Sequence, residues 1–262
     1  MAGVKRKTLH DYFGQEDKLK MASASTADTP TSTSVSISNT AAATITTATE
    51  HALLVPAGLS IIHGFVSEDE ELAILSFLEE QAWRTDLSRR SLHFGGTYCV
   101  MPPRDSSPGT RRRIEQTIIT APSMPAELEF VLQRMVDRGL YVDSARPAYC
   151  IVNEYRPGQG ISAHVENFRF GEPVCALTLA GCDTMRFHQL QKPHDGSVRS
   201  GKAASAPRSG KRQDVDMARR SLLIMRGEAR HSWQHEIVRG RTRSRPPAWK
   251  RVSLTFRVDK KG

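Results

Sequence analysis

The run from Arg251 to Val258 near the C-terminus alternates strictly between polar and apolar side chains. Because successive side chains of a β-strand leave opposite faces, this alternation predicts a strand with one polar and one apolar face. The polar face carries Arg251, Ser253, Thr255 and Arg257, and the apolar face carries Val252, Leu254, Phe256 and Val258. The apolar face requires a core beneath it. The polar face lies either in water, as on a half-buried strand, or in the mouth of a barrel.

Five other runs of apolar or β-branched residues, separated by turn residues, span 148–155, 174–179, 184–188, 221–225 and 235–238. Short strands at this spacing predict a mostly β fold with a sandwich or barrel core. Two helices are predicted ahead of them, from Ser67 to about Gln81 and from Ala126 to Arg138. Ser67 can cap the first helix, and both helices carry an apolar stripe that predicts packing outside the β core. The stripes are Leu72, Ile74, Leu75 and Leu78, and Leu128, Val131, Leu132 and Met135.

Two segments differ in composition from the rest of the chain. Residues 21–49 are nearly all small or polar, so they cannot bury enough apolar surface to fold. We therefore predict a disordered leader over residues 1–50 and a folded domain over residues 51–262. Within that domain, Gly, Ser, Ala and basic residues from about 192 to 219 predict a long flexible insertion. Its basic residues either contact phosphates or are simply solvated.

The formal net charge of +9 favours polyanionic partners, although charge does not separate DNA from RNA or from an acidic protein. No stretch approaches the roughly 18 apolar residues that span a bilayer, so no membrane association is predicted. The N-terminus also lacks the apolar core of a secretory signal. The cysteines show no CxxC spacing and are predicted to be reduced thiols, mostly buried. They are Cys99, Cys150, Cys175 and Cys182.

His164 and Glu166 stand two residues apart, so on an extended strand their side chains leave the same face and can bind one ion. The turn-forming residues 156–160 precede them and place the pair at the rim of a sheet. A distant histidine, His235, would complete a set of two histidines and one carboxylate. Such a facial triad leaves coordination positions open and is typical of non-haem Fe(II) oxygenases.

Arg251 and Arg257 carry planar guanidinium groups, which bind carboxylates through two parallel hydrogen bonds. If their face lies in a barrel mouth, the two arginines can hold a small diacid. Asn153 and Tyr155 form another same-face pair that can add neutral hydrogen bonds to the same ligand. The diacid that facial-triad oxygenases usually take is 2-oxoglutarate.

The motifs follow the order Asn153-x-Tyr155-x-Pro157-Gly158-x-Gly160, His164-x-Glu166, His235 and Arg251-x-Ser253-x-Thr255-Phe256-Arg257. This order resembles the AlkB family of Fe(II)/2-oxoglutarate dioxygenases over about Leu53 to Val258. The run from Arg220 to His235 resembles the family's entry into its distal metal ligand, which selects His235 over His231. The resemblance implies a double-stranded β-helix of jelly-roll type with flanking helices. It also implies that His164, Glu166 and His235 bind Fe(II), and that Asn153, Tyr155, Arg251, Ser253 and Arg257 hold 2-oxoglutarate.

Two positions depart from the family pattern. Glu166 stands where the family normally has Asp, and its extra methylene changes the reach of a carboxylate that can still bind iron. Ser253 stands where the nucleic-acid repair members usually carry Asn. Serine there looks more like the branch that contains the transfer-RNA wobble-uridine hydroxylase.

The segment from Leu92 to Tyr98 resembles the family's substrate-recognition strand and lid, whose aromatic ring lies against the target base. Phe94 and Tyr98 are therefore either base-stacking residues or ordinary strand residues of the core. Arg89 and Arg90 just before them are candidates for phosphate contacts. Candidates for the opposite wall of the base site are Phe168 and Trp233.

The segment from Lys5 to Phe13 resembles a sliding-clamp (PCNA) interaction box. Leu9, Tyr12 and Phe13 would be its apolar anchors, although Arg6 replaces the usual first Gln. A nuclear-import signal and a chance match are the alternatives for this basic stretch. We predict a nuclear protein, with the cytoplasm as the alternative.

The implied reaction is oxidative dealkylation of nucleic-acid bases, in which dioxygen and 2-oxoglutarate are consumed and succinate is formed. The clamp-like box favours alkylated DNA and hence DNA repair by a narrow margin. The alternatives are a transfer-RNA or other RNA hydroxylase or demethylase, and a clamp-associated nucleic-acid-binding protein without turnover. Protein methyl groups are a third substrate class.

Overall fold

The computed structural model describes residues 56–85, 88–99, 118–194 and 205–260. Its helices are α1 (Glu68–Glu79), α2 (Glu129–Asp137) and α3 (Gly227–His231), with short 3-10 turns at Ala126–Leu128 and Asp143–Ala145. The first six strands are β1 (Leu59–Ile62), β2 (Arg90–Phe94), β3 (Thr97–Cys99), β4 (Ile118–Thr120), β5 (Tyr149–Tyr155) and β6 (Ile161–His164). The other six are β7 (Val174–Leu179), β8 (Asp183–Leu190), β9 (Arg208–Met217), β10 (Ser221–Met225), β11 (Trp233–Ile237) and β12 (Arg251–Arg257).

Two antiparallel sheets make up the body of the domain. The large sheet has the order β1-β10-β7-β12-β5-β2, the small sheet has the order β6-β11-β8-β9, and β3 and β4 form a separate hairpin. From β5 to β12 the chain passes repeatedly between the two sheets, and β8 and β9 form a hairpin within the small sheet. This mostly β, double-stranded β-helix confirms the predicted fold class.

The position of β12 explains its alternating sequence. It lies inside the large sheet, between β5 and β7, and its apolar residues Val252, Leu254 and Phe256 pack in a core under α1 and α2. The opposite face, which carries both arginines, is also buried, with Arg251 only 1% exposed. The polar face therefore lies inside the barrel rather than in water.

Helix α1 begins where the capping residue predicts. The Ser67 hydroxyl accepts a hydrogen bond from the Glu70 backbone N–H, and the Glu70 carboxylate accepts one from the Ser67 N–H. One part of the predicted stripe is wrong, because Leu72 is 59% exposed and Glu71 is buried in its place. The buried face follows Glu71, Ile74 and Leu78 at spacings of three and four, and the Glu71 carboxylate is bound by Arg219. The stripe predicted for α2 is buried as expected.

The predicted flexible insertion is wrong for its second half. Residues Arg208–Met217 form β9, which pairs with β8 as the edge strand of the small sheet. An exposed edge strand satisfies its backbone on one side only and commonly carries charged side chains, so its composition resembles that of a loop. A bidentate pair between Arg186 and Asp214 joins the two strands. Residues 195–204 lie outside the described part of the chain.

Among the described residues, no helix combines the length and apolar character that crossing a membrane requires. Cys150, Cys175 and Cys182 are free thiols, and the first two are buried. Burial raises the pKa of Cys175 to about 12, which keeps this thiol protonated at neutral pH.

Candidate active site

A cavity lies between the two sheets, and side chains of both sheets line it. The large sheet contributes Asn153, Tyr155, Ala176, Met225, Arg251, Ser253, Thr255 and Arg257, and the small sheet contributes Ile161, His164, Met185, His235 and Ile237, with Glu166 beside them. All eight residues predicted to bind metal or 2-oxoglutarate therefore line one cavity. These residues are far apart in the chain, because successive strands of the β-helix return to the same cavity.

Three of these side chains form a compact cluster of metal-binding groups. His164 and His235 lie directly opposite each other on β6 and β11, with ring centroids 4.4 Å apart. Glu166 follows β6 by two residues, and its carboxylate Oε1 lies 3.5 Å from Nε2 of His235. One donor atom from each of the three residues falls within 4.8 Å of the others. The predicted triad is thus assembled in space, although the strand itself ends at His164.

The protonation of the cluster suits a divalent metal. Nδ1 of His164 lies 2.8 Å from the Ser162 carbonyl, so it donates this hydrogen bond when the ring is neutral and leaves a lone pair on Nε2. Burial, reinforced by His235, lowers the pKa of His164 to about 4, which makes neutral imidazole the form present at pH 7. Nδ1 of His235 is buried without a hydrogen-bond partner in the described structure. Two imidazoles and one carboxylate are the donor set of non-haem Fe(II) sites.

The carboxylate of Glu166 is held by Arg257. Nε and Nη2 of Arg257 donate hydrogen bonds of 2.7 and 3.0 Å to its two oxygens. Although burial opposes ionisation, this pairing and the nearby His235 hold the pKa of Glu166 well below its usual range. The backbone beside it is also fixed, because the buried Arg230 donates to the carbonyls of Glu166, Asn167 and Phe170. Glu166 is therefore presented to the metal position as a charged, oriented carboxylate.

Arg251 marks the other part of the cavity and has no carboxylate partner among the described residues. Its Nη2 donates to the Thr178 hydroxyl at 3.0 Å and lies 3.3 Å from the Met217 sulfur, while its Nε is buried without a partner. Burial lowers the pKa of Arg251, but an arginine stays charged at neutral pH. Its direct hydrogen-bond partners are neutral, and the nearby Asp183 carboxylate offsets the effect of burial only in part. A buried cation in this setting fits a carboxylate ligand.

The neutral residues predicted to help hold this ligand surround Arg251. Tyr155 lies opposite it in the β5–β12 register, and Ser253 lies opposite Asn153. The Arg251 guanidinium is centred 5.4 Å from the Tyr155 ring. Thr178 is a residue that the sequence analysis missed, and it reaches this group from β7. Alternation along Val174–Leu179 places Thr178 on the cavity face, so the pattern could have identified it once β7 was known to adjoin β12.

Arg89 and Arg90 are both predicted as phosphate contacts, but Arg89, just before β2, and Arg90, its first residue, turn in opposite directions. Arg89 turns toward the cavity, where its Nε donates to Asn153 Oδ1 at 2.8 Å and its guanidinium lies 5.8 Å from the Tyr155 ring. Arg90 turns away, binds Glu79 and Glu154, and stacks on Trp83. The prediction for Arg90 is therefore wrong, because carboxylates of the protein already hold its charge.

Two of the predicted base-stacking residues are buried in the core. Phe94 is 3% exposed, shares the outer face of β2 with Arg90 and packs 6.2 Å from Phe77 of α1. Trp233 is 4% exposed in the core between the sheets. Both predictions are wrong, because strand alternation and packing leave these rings no open face for a base.

The remaining candidates stay predictions. Phe168 is half-buried and contacts His194, His231 and Lys260 rather than lining the cavity. The side chain of Tyr98 lies outside the described structure, although its backbone belongs to β3. The clamp-binding candidates Leu9, Tyr12 and Phe13 also lie outside the described residues, as does the rest of the predicted leader.

The fold is a jelly roll, and its cavity combines side chains that could hold a metal ion with a buried cation. The family profile described as the 2OG-Fe(II) oxygenase superfamily matches residues 58–257. The chain therefore belongs to this superfamily of dioxygenases, whose members use Fe(II), 2-oxoglutarate and dioxygen.

Individual relatives share only about a quarter of their aligned residues with the chain. The chain is 26% identical to the uncharacterized protein L905 of Acanthamoeba polyphaga mimivirus, over 76% of this chain and 84% of that protein. It is 28% identical to the alkylated DNA repair protein ALKBH8 homolog of Arabidopsis thaliana, over 69% of this chain and 50% of that protein. It is also 28% identical to the tRNA (carboxymethyluridine(34)-5-O)-methyltransferase alkbh8 of Xenopus tropicalis, over 70% of this chain. The match spans 26% of that methyltransferase.

Among solved structures, that of OsALKBH1 matches with a TM-score of 0.48 and 17% sequence identity. The match covers 78% of this chain and 99% of that one.

Proposed function

We propose that this dioxygenase oxidises alkyl groups on nucleic-acid bases, as AlkB-type enzymes do. The observation that carries the proposal is the cavity that combines the metal-binding cluster with Arg251, a buried cation whose direct hydrogen-bond partners in the described structure are neutral. The formal charge of +9 supports a polyanionic substrate. Similarity to proteins named for alkylated-DNA repair and for transfer-RNA modification supports bases as the site of oxidation.

Each part of the cavity has a distinct role in this proposal. His164, Glu166 and His235 would hold Fe(II), which supplies activation of dioxygen with 2-oxoglutarate as the source of electrons. Arg257 holds the Glu166 carboxylate in its charged form and orients it. These contacts orient Glu166 before the metal binds, which reduces the reorganisation that binding requires.

The co-substrate site uses the opposite part of the same β12 face. Arg251 would pair with one carboxylate of 2-oxoglutarate, and Thr178 already fixes one nitrogen of its guanidinium. Tyr155, Asn153 and Ser253 add neutral hydrogen-bonding groups from the adjoining strand positions. Because the cavity is buried, little water screens the attraction between Arg251 and this carboxylate, and the ion pair is stronger than it would be in solvent.

The target base must leave a duplex to reach an enclosed cavity, so we propose single-stranded or flipped-out bases as substrates. Arg89 is the residue best placed to meet such a base, because it contacts Asn153 and Tyr155 from the neighbouring strand. DNA remains our first candidate because of the clamp-like segment around Leu9, and RNA is the second because of Ser253. We likewise propose a nuclear location and binding to the PCNA clamp through that segment.

The test is mass spectrometry of matched single-stranded DNA and RNA oligonucleotides that carry N1-methyladenine or N3-methylcytosine. They are incubated with the full-length protein, Fe(II), 2-oxoglutarate and air, and succinate is measured in the same tubes. We expect demethylation by the wild type and none by His164→Ala. DNA-selective turnover supports repair, and RNA-selective turnover moves the protein to RNA modification.

Two outcomes would overturn the proposal in different ways. Succinate release without loss of methyl groups from either oligonucleotide means an oxygenase with another substrate, such as a protein methyl group. Absence of succinate from folded, iron-loaded protein supports a binding protein without turnover. Thermal unfolding of each sample separates these outcomes from simple loss of the fold.

A further inference from the structure

The loop between β11 and β12 carries an unusual concentration of exposed positive charge. Arginines occupy four alternate positions within seven residues, namely Arg239, Arg241, Arg243 and Arg245, and all four are exposed. Arg241 is paired with Asp214 of β9 at 3.1 Å. In the described part of the chain, none of the other three has a carboxylate partner. Three guanidinium groups are thus available to an external anion.

The backbone of this loop is held in place by its neighbours. The Gly240 N–H donates to the Gly158 carbonyl, and the Gly158 N–H donates to the hydroxyl of Thr242, both at 3.0 Å. Thr242 is only 5% exposed, although the residues on either side of it face solvent. A further turn closes where the Arg245 N–H donates to the Thr242 carbonyl. The arginines therefore extend from a fixed frame, which reduces the entropy lost when they bind.

The same contacts place the loop beside the cavity. The loop connects Ile237 to Arg251, and both of these residues line the cavity. It packs on the turn that connects Tyr155 to Ile161, which also line the cavity. The fit is close, because a Cβ on Gly160 would lie 2.2 Å from the Ile237 carbonyl oxygen.

The segment that carries Arg89 also contacts this turn. The Gln159 side-chain amide donates to the Ser88 carbonyl, immediately before Arg89. Arg89 itself contacts Asn153 at the cavity. The turn is therefore flanked by the arginine loop and by the residue that we propose meets the target base.

We infer that the loop from Arg239 to Arg245 binds the phosphates of a single strand of nucleic acid that flank the base in the cavity. This inference rests on the proposed function and specifies where the backbone of its substrate lies. Separate charges at alternate positions suit a chain of phosphates better than one small anion. Guanidinium groups also bind phosphate oxygens bidentately.

The test compares two triple variants of the full-length protein that lose the same charge. The first is Arg239→Gln, Arg243→Gln and Arg245→Gln. The matched control is Arg138→Gln, Lys192→Gln and Arg226→Gln, which removes exposed charges from positions elsewhere on the surface. Fluorescence anisotropy measures binding to labelled, unmodified 20-nucleotide single-stranded DNA and RNA over a range of salt concentrations. Succinate release without nucleic acid is measured in parallel.

The loop variant is expected to bind about 10-fold or more weakly at low salt, with a slope of log K against log salt smaller by about 2, since each lost phosphate contact removes about 0.7. The control should lose less than about threefold in affinity, as expected for a change in net charge alone. Succinate release should match the wild type for both variants, because neither touches the cavity.

Equal nucleic-acid binding by the loop variant and the wild type would overturn the inference, even if demethylation is established. Equal losses in the two triple variants would also overturn it, since the effect would then come from net charge. Loss of binding to vesicles that contain phosphatidylserine, with oligonucleotide binding unchanged, would assign the loop to membranes instead. Failure of the proposed function is distinguished by wild-type protein that converts 2-oxoglutarate but never demethylates.

Discussion

The two arginines on the inner face of β12 belong to parts of the cavity that balance charge in opposite ways. Arg257 forms a bidentate pair with the Glu166 carboxylate, so charge in the metal-binding part is balanced by the protein itself. Arg251 is as deeply buried, yet the partners that the structure shows for it are a hydroxyl and a thioether sulfur. One strand therefore carries a completed ion pair and an incomplete one.

The difference assigns a structural role to Arg257 and a ligand-binding role to Arg251 within the same cavity. A buried ion pair is costly to break from one side, because the remaining charge stays buried without a partner. A buried charge without a partner instead lowers the stability of the ligand-free protein, and binding of an anion removes this cost. We therefore expect the same substitution to have opposite effects on stability at the two positions.

The largest effect is expected for Arg257→Met. It leaves the Glu166 carboxylate buried without its partner, which should lower the free energy of unfolding by about 3–5 kcal/mol. Thermal and urea unfolding of metal-free protein, with a chelator present, would measure this change. The double variant Glu166→Gln with Arg257→Met is the control, and it should recover much of the loss because no charge is then left unpaired.

Arg251→Met should leave the stability of the ligand-free protein unchanged or raise it, since burial outweighs the attraction of Asp183 and the direct partners of Arg251 are neutral. Its effect should appear when ligand is added. The wild type with Fe(II), without oxygen, should gain about 2.7 kcal/mol at 2-oxoglutarate concentrations 100 times the Kd. The variant should show almost none of this gain in an unfolding titration. A loss of ligand-free stability similar to that of Arg257→Met would contradict the comparison.

Arg89→Ala is expected to have a smaller effect on ligand binding. The substitution removes one hydrogen bond to Asn153, worth about 1 kcal/mol, so the Kd for 2-oxoglutarate should rise about fivefold. Binding calorimetry would measure this Kd. Arg90→Ala is the control, because Arg90 turns away from the cavity, and it should leave this Kd unchanged while lowering stability through Glu154.

Ser67→Ala should have the smallest effect and should not touch the cavity. Loss of the N-cap of α1 is expected to cost about 1 kcal/mol and to lower the Tm by about 2–4 °C. The Kd for 2-oxoglutarate should stay at the wild-type value. The exposed Ser60→Ala provides the control for stability. A change in ligand affinity in Ser67→Ala would mean that the helices influence the cavity.

Strand alternation accounts for most of what the sequence predicted correctly. It assigned the polar face of Arg251–Arg257, and the family resemblance joined that face to His164, Glu166 and His235. The ion pair between Arg257 and Glu166 could not be predicted, because it depends on how the chain continues beyond β6. The role of Thr178 depends in the same way on strand order, which a single sequence does not specify.

The errors have equally physical causes. Phe94 and Arg90 were expected near the substrate because of their motif, but they share the outer face of β2 with Leu92. Counting alternate positions from Leu92 would have separated them from Arg89. Residues 208–217 looked like a loop because an edge strand with one exposed side has little apolar character.

The measurement that tests the site most directly is calorimetric titration of 2-oxoglutarate into full-length protein without oxygen. It would be carried out with Fe(II) and with a chelator, using the wild type, His164→Ala and Arg251→Met. We predict one 2-oxoglutarate per chain in the wild type with Fe(II), much weaker binding without metal, and loss of binding in both folded variants. Wild-type affinity in folded Arg251→Met, or binding that is independent of Fe(II) and of His164, would contradict the assignment of metal and co-substrate to this cavity.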